Sequence, residues 1–104
     1  MALRITNQEF EEKVLNSTCP VVVEFYSDSC MACKALSPVL GELEDHYDNK
    51  IKVYKVNTGY EMQLSETYEV RSNPTTLIFK EGKEIDRVVG VIPYQELESR
   101  IITE

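Results

Sequence analysis

The stretch Val21-Val22-Val23-Glu24-Phe25-Tyr26 is followed, after two further residues, by Ser29-Cys30-Met31-Ala32-Cys33-Lys34. The first run is almost continuously β-branched and aromatic, which is typical of a central strand buried on both faces. The second run opens a helical pattern. Two cysteines three positions apart therefore fall where a buried strand passes into a helix, and we expect the functional site at this junction.

Strand and helix patterns alternate outward from the junction. Strands are predicted over 3–5, 21–26, 51–56, 75–80 and 84–89, and helices over about 7–16, from after Cys30 to about Tyr47, 61–68 and 93–102. The order β-α-β-α-β-α-β-β-α predicts parallel strands joined by crossover helices and a closing antiparallel hairpin. This is an α/β fold with a central mixed sheet and helices on both faces. Thr6 and Glu9 predict a capping box on the first helix, and Pro38 predicts a kink in the long one.

Size and composition limit the class of protein. The chain has 104 residues, of which 42% are hydrophobic, so we expect one domain over residues 1–104 rather than a multidomain enzyme or a disordered chain. Three cysteines are too few for a small domain held together by disulfides. A chain of this size has core enough to fold without its cysteines serving as staples.

Charge and hydropathy exclude two kinds of partner. The net charge is −7, from 11 basic and 18 acidic residues, and no run of Lys or Arg suggests a nucleic-acid surface. No apolar run approaches the roughly 18 residues that a membrane span requires. The sequence begins without an apolar core of signal-peptide length, so we expect a cytoplasmic protein. Thiols stay reduced there, and a close cysteine pair is more often catalytic or metal-binding than structural.

The cysteine pair has a physical rationale for reactivity. The first turn of a helix carries unpaired N–H groups and a partial positive charge, which would stabilise a Cys30 thiolate. Cys33 follows by nearly one helical turn, so it can reach Cys30. Metal binding needs about four ligands, and the other candidates, Cys19 and His46, fall too far along their elements. A metal site and a structural or inert pair stay open as alternatives, and Cys19 is interpreted as a bystander thiol.

The chain resembles the thioredoxin family over nearly its whole length. The strand 21–26 and the following Cys30–Lys34 segment are similar to the family's strand and active site. Further matches, in the right order, are Pro38, Lys55, the loop Asn73-Pro74-Thr75 and Gly90. The resemblance implies a thioredoxin fold and thiol–disulfide exchange, with Cys30 as nucleophile and Cys33 as resolving thiol. It also implies a cis bond at Pro74, with the backbone before it pairing to an extended substrate.

The sequence departs from the usual family pattern around the cysteines. The common motif is Trp-Cys-Gly-Pro-Cys, whereas this chain has Ser29 in the tryptophan's place and Met31-Ala32 between the cysteines. Tyr26 stands where a second tryptophan is usual, and Asn73 stands where a branched apolar residue is common. Met31 is expected to be exposed and to form an apolar docking surface with Ile92 and Pro74.

The family's buried aspartate is replaced by Glu24, which lies in an otherwise apolar strand. Burying a carboxylate is costly and raises its pKa, so we interpret Glu24 as a proton acceptor for Cys33. The alternative is a strand-edge acid paired with Lys55. Lys55 itself is either a partner of Glu24 or a solvated strand residue.

The predicted function is reduction of disulfides in protein targets by the Cys30/Cys33 dithiol. The resemblance implies an NADPH-dependent thioredoxin reductase as the partner that restores the dithiol. The chain has no dinucleotide fingerprint, so we expect no cofactor of its own. A thiol oxidase or isomerase with the same chemistry, and a thioredoxin-fold binding module without redox turnover, are the alternatives.

Overall fold

The structure is a computed structural model that describes residues 2–102. Its strands are β1 (Leu3–Arg4), β2 (Val21–Tyr26), β3 (Lys52–Asn57), β4 (Thr75–Lys80) and β5 (Lys83–Val89). Its helices are α1 (Asn7–Phe10), which continues as a π-helical stretch over Glu11–Leu15, α2 (Met31–His46), α3 (Met62–Thr67) and α4 (Tyr94–Ile101). The predicted order of elements is confirmed. The predicted domain ends at residues 1 and 104 lie outside the described residues.

The five strands form one mixed sheet in the order β1-β3-β2-β4-β5. β1, β3 and β2 run parallel, whereas β4 is antiparallel to β2 and β5 is antiparallel to β4. β2 is therefore central and has a hydrogen-bonded neighbour on each side. The cysteine pair follows its carboxyl end, in the middle of the sheet rather than at an edge.

Two apolar clusters cover the two faces of the sheet, because alternate residues of β2 point to opposite sides. Val21, Val23 and Phe25 pack with Phe10 and the α3 side, as part of the first cluster. The second cluster brings residues of α2 and α4 against the other face: Val22, Leu36, Leu40, Leu43, Ile51, Val53, Ile78, Leu97 and Ile101. The prediction of helices on both faces is confirmed.

The predicted bounds differ from the observed ones mainly where hydrogen bonding changes type. The first helix, predicted as one element over 7–16, changes from α to π geometry at Glu11, where the Asn16 N–H donates to the Glu11 carbonyl at 2.9 Å. The last helix ends at Ile101 with Pro93 as its N-cap, one residue before the predicted end. The Thr6–Glu9 capping box is present, and Pro38 lies inside α2. A kink at Pro38 stays a prediction.

The closing hairpin turns through Glu81 and Gly82, which both have positive φ (53° and 79°). Such a two-residue turn matches the right-handed twist of its strands, and glycine is favoured there. A Cβ on Gly82 would lie 2.6 Å from the Leu15 carbonyl oxygen. The turn thus packs directly on the end of the π-helical stretch.

Candidate active site

Cys30 and Cys33 are joined by a disulfide at the start of α2, with their Cα atoms 5.2 Å apart. Cys30 is the N-cap of the helix, and its sulfur accepts a hydrogen bond from the Cys33 N–H at 3.0 Å. Cys33 is only 6% exposed, whereas Cys30 is half-buried. The predicted position of the pair at a helix N-terminus is confirmed, and Cys30 is the more exposed residue of the two.

Glu24 lies on the central strand and is 4% exposed. Burial raises the pKa of its carboxyl to about 7, although the positive charge of Lys55 acts in the opposite direction. Its Oε2 has no hydrogen-bond partner among the described residues. Glu24 is thus a buried acid whose pKa lies near neutrality, and it is not at a strand edge.

Lys55 is the register partner of Glu24 on the neighbouring strand β3. Its ammonium lies 5.0 Å from the ring centroid of Tyr26. Within residues 2–102, no ion pair of 4.0 Å or less joins Lys55 to Glu24. Lys55 therefore influences Glu24 through space without a direct ion pair.

One cavity of about 200 Å³ connects the buried acid to the buried cysteine. Its lining residues are Glu24, Tyr26, Ser27, Asp28, Cys33, Lys34, Ser37 and Lys55. Three of the sequence-predicted site residues, Glu24, Cys33 and Lys55, meet around this space. The cavity is large enough to hold water.

The loop before β4 contains a cis peptide bond between Asn73 and Pro74, as the resemblance implies. Pro74 is buried, and its carbonyl accepts a hydrogen bond from the Gly90 N–H at 2.9 Å. The Asn73 amide nitrogen donates to Thr58 Oγ1 at 3.4 Å, while Asn73 Oδ1 is buried without a partner among the described residues.

Met31 is 76% exposed, whereas Ile92 is half-buried against the second apolar cluster. Since Pro74 is buried, Met31 is the most accessible of the three residues predicted to form an apolar docking surface. The expectation that Met31 is exposed is confirmed. The surface itself stays a prediction.

Sequence reasoning missed the contacts that attach the active-site loop to the end of β3. The Asn57 side chain is buried and donates to Asp28 Oδ1 at 3.2 Å, and the Thr58 N–H donates to the Tyr26 carbonyl at 2.8 Å. The partners are about thirty residues apart in the chain, so no local pattern announces them. The sequence signal that could have indicated these contacts is Asn57, a polar residue at the carboxyl end of the parallel strand β3.

The other candidate ligands lie apart from the pair. The Cys19 sulfur lies 3.4 Å from the Ser17 hydroxyl, before β2 begins, and the His46 ring contacts the Tyr47 ring edge to face at the end of α2. Among residues 2–102, no three His, Cys, Asp or Glu side chains are grouped as metal ligands. In the same range, no helix is long and apolar enough to cross a membrane.

Comparison with known proteins gives the family. The family model described as Thioredoxin matches residues 1–103. The chain belongs to the thioredoxin family. It is 42% identical over 92 residues to Thioredoxin 1 of a Nostoc species, covering 88% of this chain and 86% of that protein. It is 37% identical over 98 residues to a thioredoxin of Pyropia yezoensis, covering 94% and 92% respectively.

A plant relative shows the same likeness over part of its length. Thioredoxin M4, chloroplastic, of Arabidopsis thaliana is 36% identical over 97 residues, covering 93% of this chain and 50% of that protein. A thioredoxin with a bonded pair at the CxxC spacing is a thiol–disulfide oxidoreductase. The chain has disulfide reductase activity and a redox-active cysteine pair, so the interpretation from the sequence is confirmed.

Proposed function

We propose that the chain acts as one domain, residues 1–104, that reduces disulfides in protein targets, with Cys30 as nucleophile and Cys33 as resolving thiol. The Cys30 thiolate attacks one target sulfur, a mixed disulfide forms, and the other target sulfur leaves. The Cys33 thiolate then attacks the Cys30 sulfur and releases the second target sulfur. The dithiol loses two electrons to the target and becomes the Cys30–Cys33 disulfide.

The observation that carries this order of attack is the unequal exposure of the two cysteine residues. Cys30 is half-buried at the N-cap of α2, and Cys33 is 6% exposed one turn further on. A target disulfide meets Cys30 first. A thiolate at Cys30 would also keep the hydrogen bond from the Cys33 N–H, which favours the charged form.

Glu24 is proposed as the group that takes the proton of Cys33. Burial holds the pKa of Glu24 at about 7, so near neutral pH it can both accept and release a proton. Glu24 and Cys33 line the same cavity, which supports transfer through water. Lys55 lines the same cavity, and its positive charge is proposed to moderate the pKa of Glu24 through space, without an ion pair.

Four further residues are proposed to bind the substrate. The backbone at Asn73, before cis Pro74, pairs with an extended target segment, as in the family pattern. The exposed thioether of Met31 and the half-exposed side chain of Ile92 contact apolar residues beside the target disulfide. Met31 is flexible and therefore suits targets of varied shape.

Restoring the dithiol requires electrons from another protein. The proposed donor is an NADPH-dependent thioredoxin reductase, and the proposed compartment is the cytoplasm, where thiols are kept reduced. In that scheme the chain carries two electrons at a time from the reductase to the target.

The test is insulin-disulfide reduction with dithiothreitol as electron source. Cys30→Ser should abolish reduction, while Cys33→Ser should accumulate mixed disulfides with the target, because the second attack is lost. Cys19→Ser is the matched control and should keep wild-type turnover. Full turnover in both active-site variants would exclude the proposal and favour the binding module. A potential for the pair far above about −270 mV would instead favour an oxidase or isomerase.

A further inference from the structure

Lys55 has two possible partners on β2, Glu24 and Tyr26, and its ammonium lies against the uncharged Tyr26 ring. Glu24 is its register partner, and Tyr26 follows two residues later on the same face of the sheet. The Lys55 Nζ lies 5.0 Å from the Tyr26 ring centroid, within the range of a cation–π contact. Within residues 2–102 no ion pair joins it to Glu24, whose Oε2 has no hydrogen-bond partner.

Tyr26 has a cation from each of the other two parallel strands nearby. Arg4, Lys55 and Glu24 occupy one row across β1, β3 and β2. The Tyr26 hydroxyl, which lies near Arg4, raises the pKa of the Arg4 guanidinium. The guanidinium itself lies 5.3 Å from the ring centroid of Tyr60. Lys55 is therefore the cation that lies over the Tyr26 ring.

We propose that Tyr26 is a positioning residue, whose ring holds the Lys55 ammonium away from Glu24 and so keeps the Glu24 carboxylate basic enough to take the proton of Cys33. A lysine in direct contact would stabilise the charged carboxylate. Glu24 would then be a weaker base and would take the proton of Cys33 less readily. The inference rests on the proposed role of Glu24 as proton acceptor for Cys33.

Among the charged groups near Glu24, Lys55 is the cation with the most direct effect on the carboxyl. The register partner of Glu24 on β4 is Thr76, which carries no charge. The charged or titratable groups that line the two cavities touching Glu24 are Lys55 from β3, Cys33, Lys34 and Asp45 from α2, Asp28 from the loop, and Tyr26 from β2 itself. Only Lys55 shares a register position with Glu24. It is also the cation that counters the rise in the pKa of Glu24.

The test is the pKa of Glu24, measured by carboxyl carbon NMR on the oxidised protein. Tyr26→Leu should lower this pKa by about one unit, because Lys55 is released toward the carboxylate. Tyr26→Phe is the matched control: it keeps the ring, and should leave the pKa of Glu24 unchanged. Tyr26→Met has about the same side-chain volume as Tyr26→Leu but an unbranched, more adaptable side chain, and it supplies the same test if Tyr26→Leu does not fold.

A second background separates Lys55 from a general effect of opening the site to water. In Lys55→Met, the additional Tyr26→Leu substitution should no longer lower the pKa of Glu24. A fall of the same size without Lys55, an equal fall in Tyr26→Phe, or no fall in Tyr26→Leu would each overturn the positioning role. The oxidised protein does not turn over in this experiment. Its result is therefore independent of the cysteine variants that test the proposed function.

Discussion

Glu24 is the single residue through which stability should depend most on pH. An unfolded glutamate ionises near pH 4.5, whereas burial holds the pKa of folded Glu24 at about 7. Between these values the folded state keeps a proton that the unfolded chain has lost. The free energy of unfolding should therefore fall as the pH rises from 4.5 to about 7, and the penalty should be constant above that. Glu24→Gln should remove the penalty, a gain of about 3 kcal/mol near pH 8 that vanishes below about pH 4.

Urea unfolding of the oxidised proteins at several pH values measures this difference. Glu66→Gln, at an exposed site on α3, removes the same charge and reports the effect of net charge alone. A wild type as stable as Glu24→Gln near pH 8 would contradict the prediction.

The sequence could identify Glu24 because a carboxylate in a β-branched run is conspicuous. The sequence left open whether Lys55 pairs with Glu24. A long side chain can contact several neighbours, and only the folded sheet brings Glu24 and Tyr26 beside Lys55.

At the scale of elements, replacing a glycine by alanine should have opposite effects on stability in the β4–β5 hairpin and in helix α2. Gly82 has a φ of 79°, and a Cβ there would meet the Leu15 carbonyl at 2.6 Å. Gly82→Ala should lower the free energy of unfolding by about 2 kcal/mol. Gly41, inside α2, has nothing within 4 Å of its Cβ position, so Gly41→Ala should raise it by about 0.5–1 kcal/mol. Thermal and urea unfolding measure the stability of both variants. A change of the same sign in Gly82→Ala and Gly41→Ala would contradict the prediction.

The same elements show where periodicity succeeds and where it fails. The type and order of elements follow from the sequence, because the longer helices bury one apolar stripe and the strands β2 and β4 are buried on both faces. Periodicity does not reveal the change to π geometry after Phe10, since one wider hydrogen-bonded turn still leaves Phe10 and Val14 buried. It also misses the irregularity in β5, where Ile78 pairs with Asp86 and Phe79 with Glu84, so that Ile85 is passed over. Such details depend on packing against other elements.

At the scale of the molecule, the site depends on contacts between segments far apart in sequence. Asn57 binds Asp28 across 29 positions, and Asn73 binds Thr58 across 15. These bonds join the loops that follow β2 and β3 and the loop that precedes β4, beside the cysteine pair. The family pattern predicted that the loop at Pro74 faces the cysteines, but it did not predict the particular side-chain bonds, one of which uses a residue that differs from the usual motif. That residue is Asn73.

The net charge of −7 should govern how fast the dithiol meets its targets. At about 10 mM salt, charges act over roughly 30 Å, which exceeds the 12.3 Å radius of gyration, so an incoming peptide senses the whole molecule. A disulfide peptide flanked by lysines should therefore react about tenfold faster than the same peptide flanked by glutamates. Stopped-flow measurement with the reduced protein gives both rates, and a glutamine-flanked peptide is the neutral control. At about 0.5 M salt the rates should converge, because screening confines the interaction to direct contacts. A faster reaction of the acidic peptide at low salt would mean that Lys34 and Lys55, beside the cavity, outweigh the acidic surface.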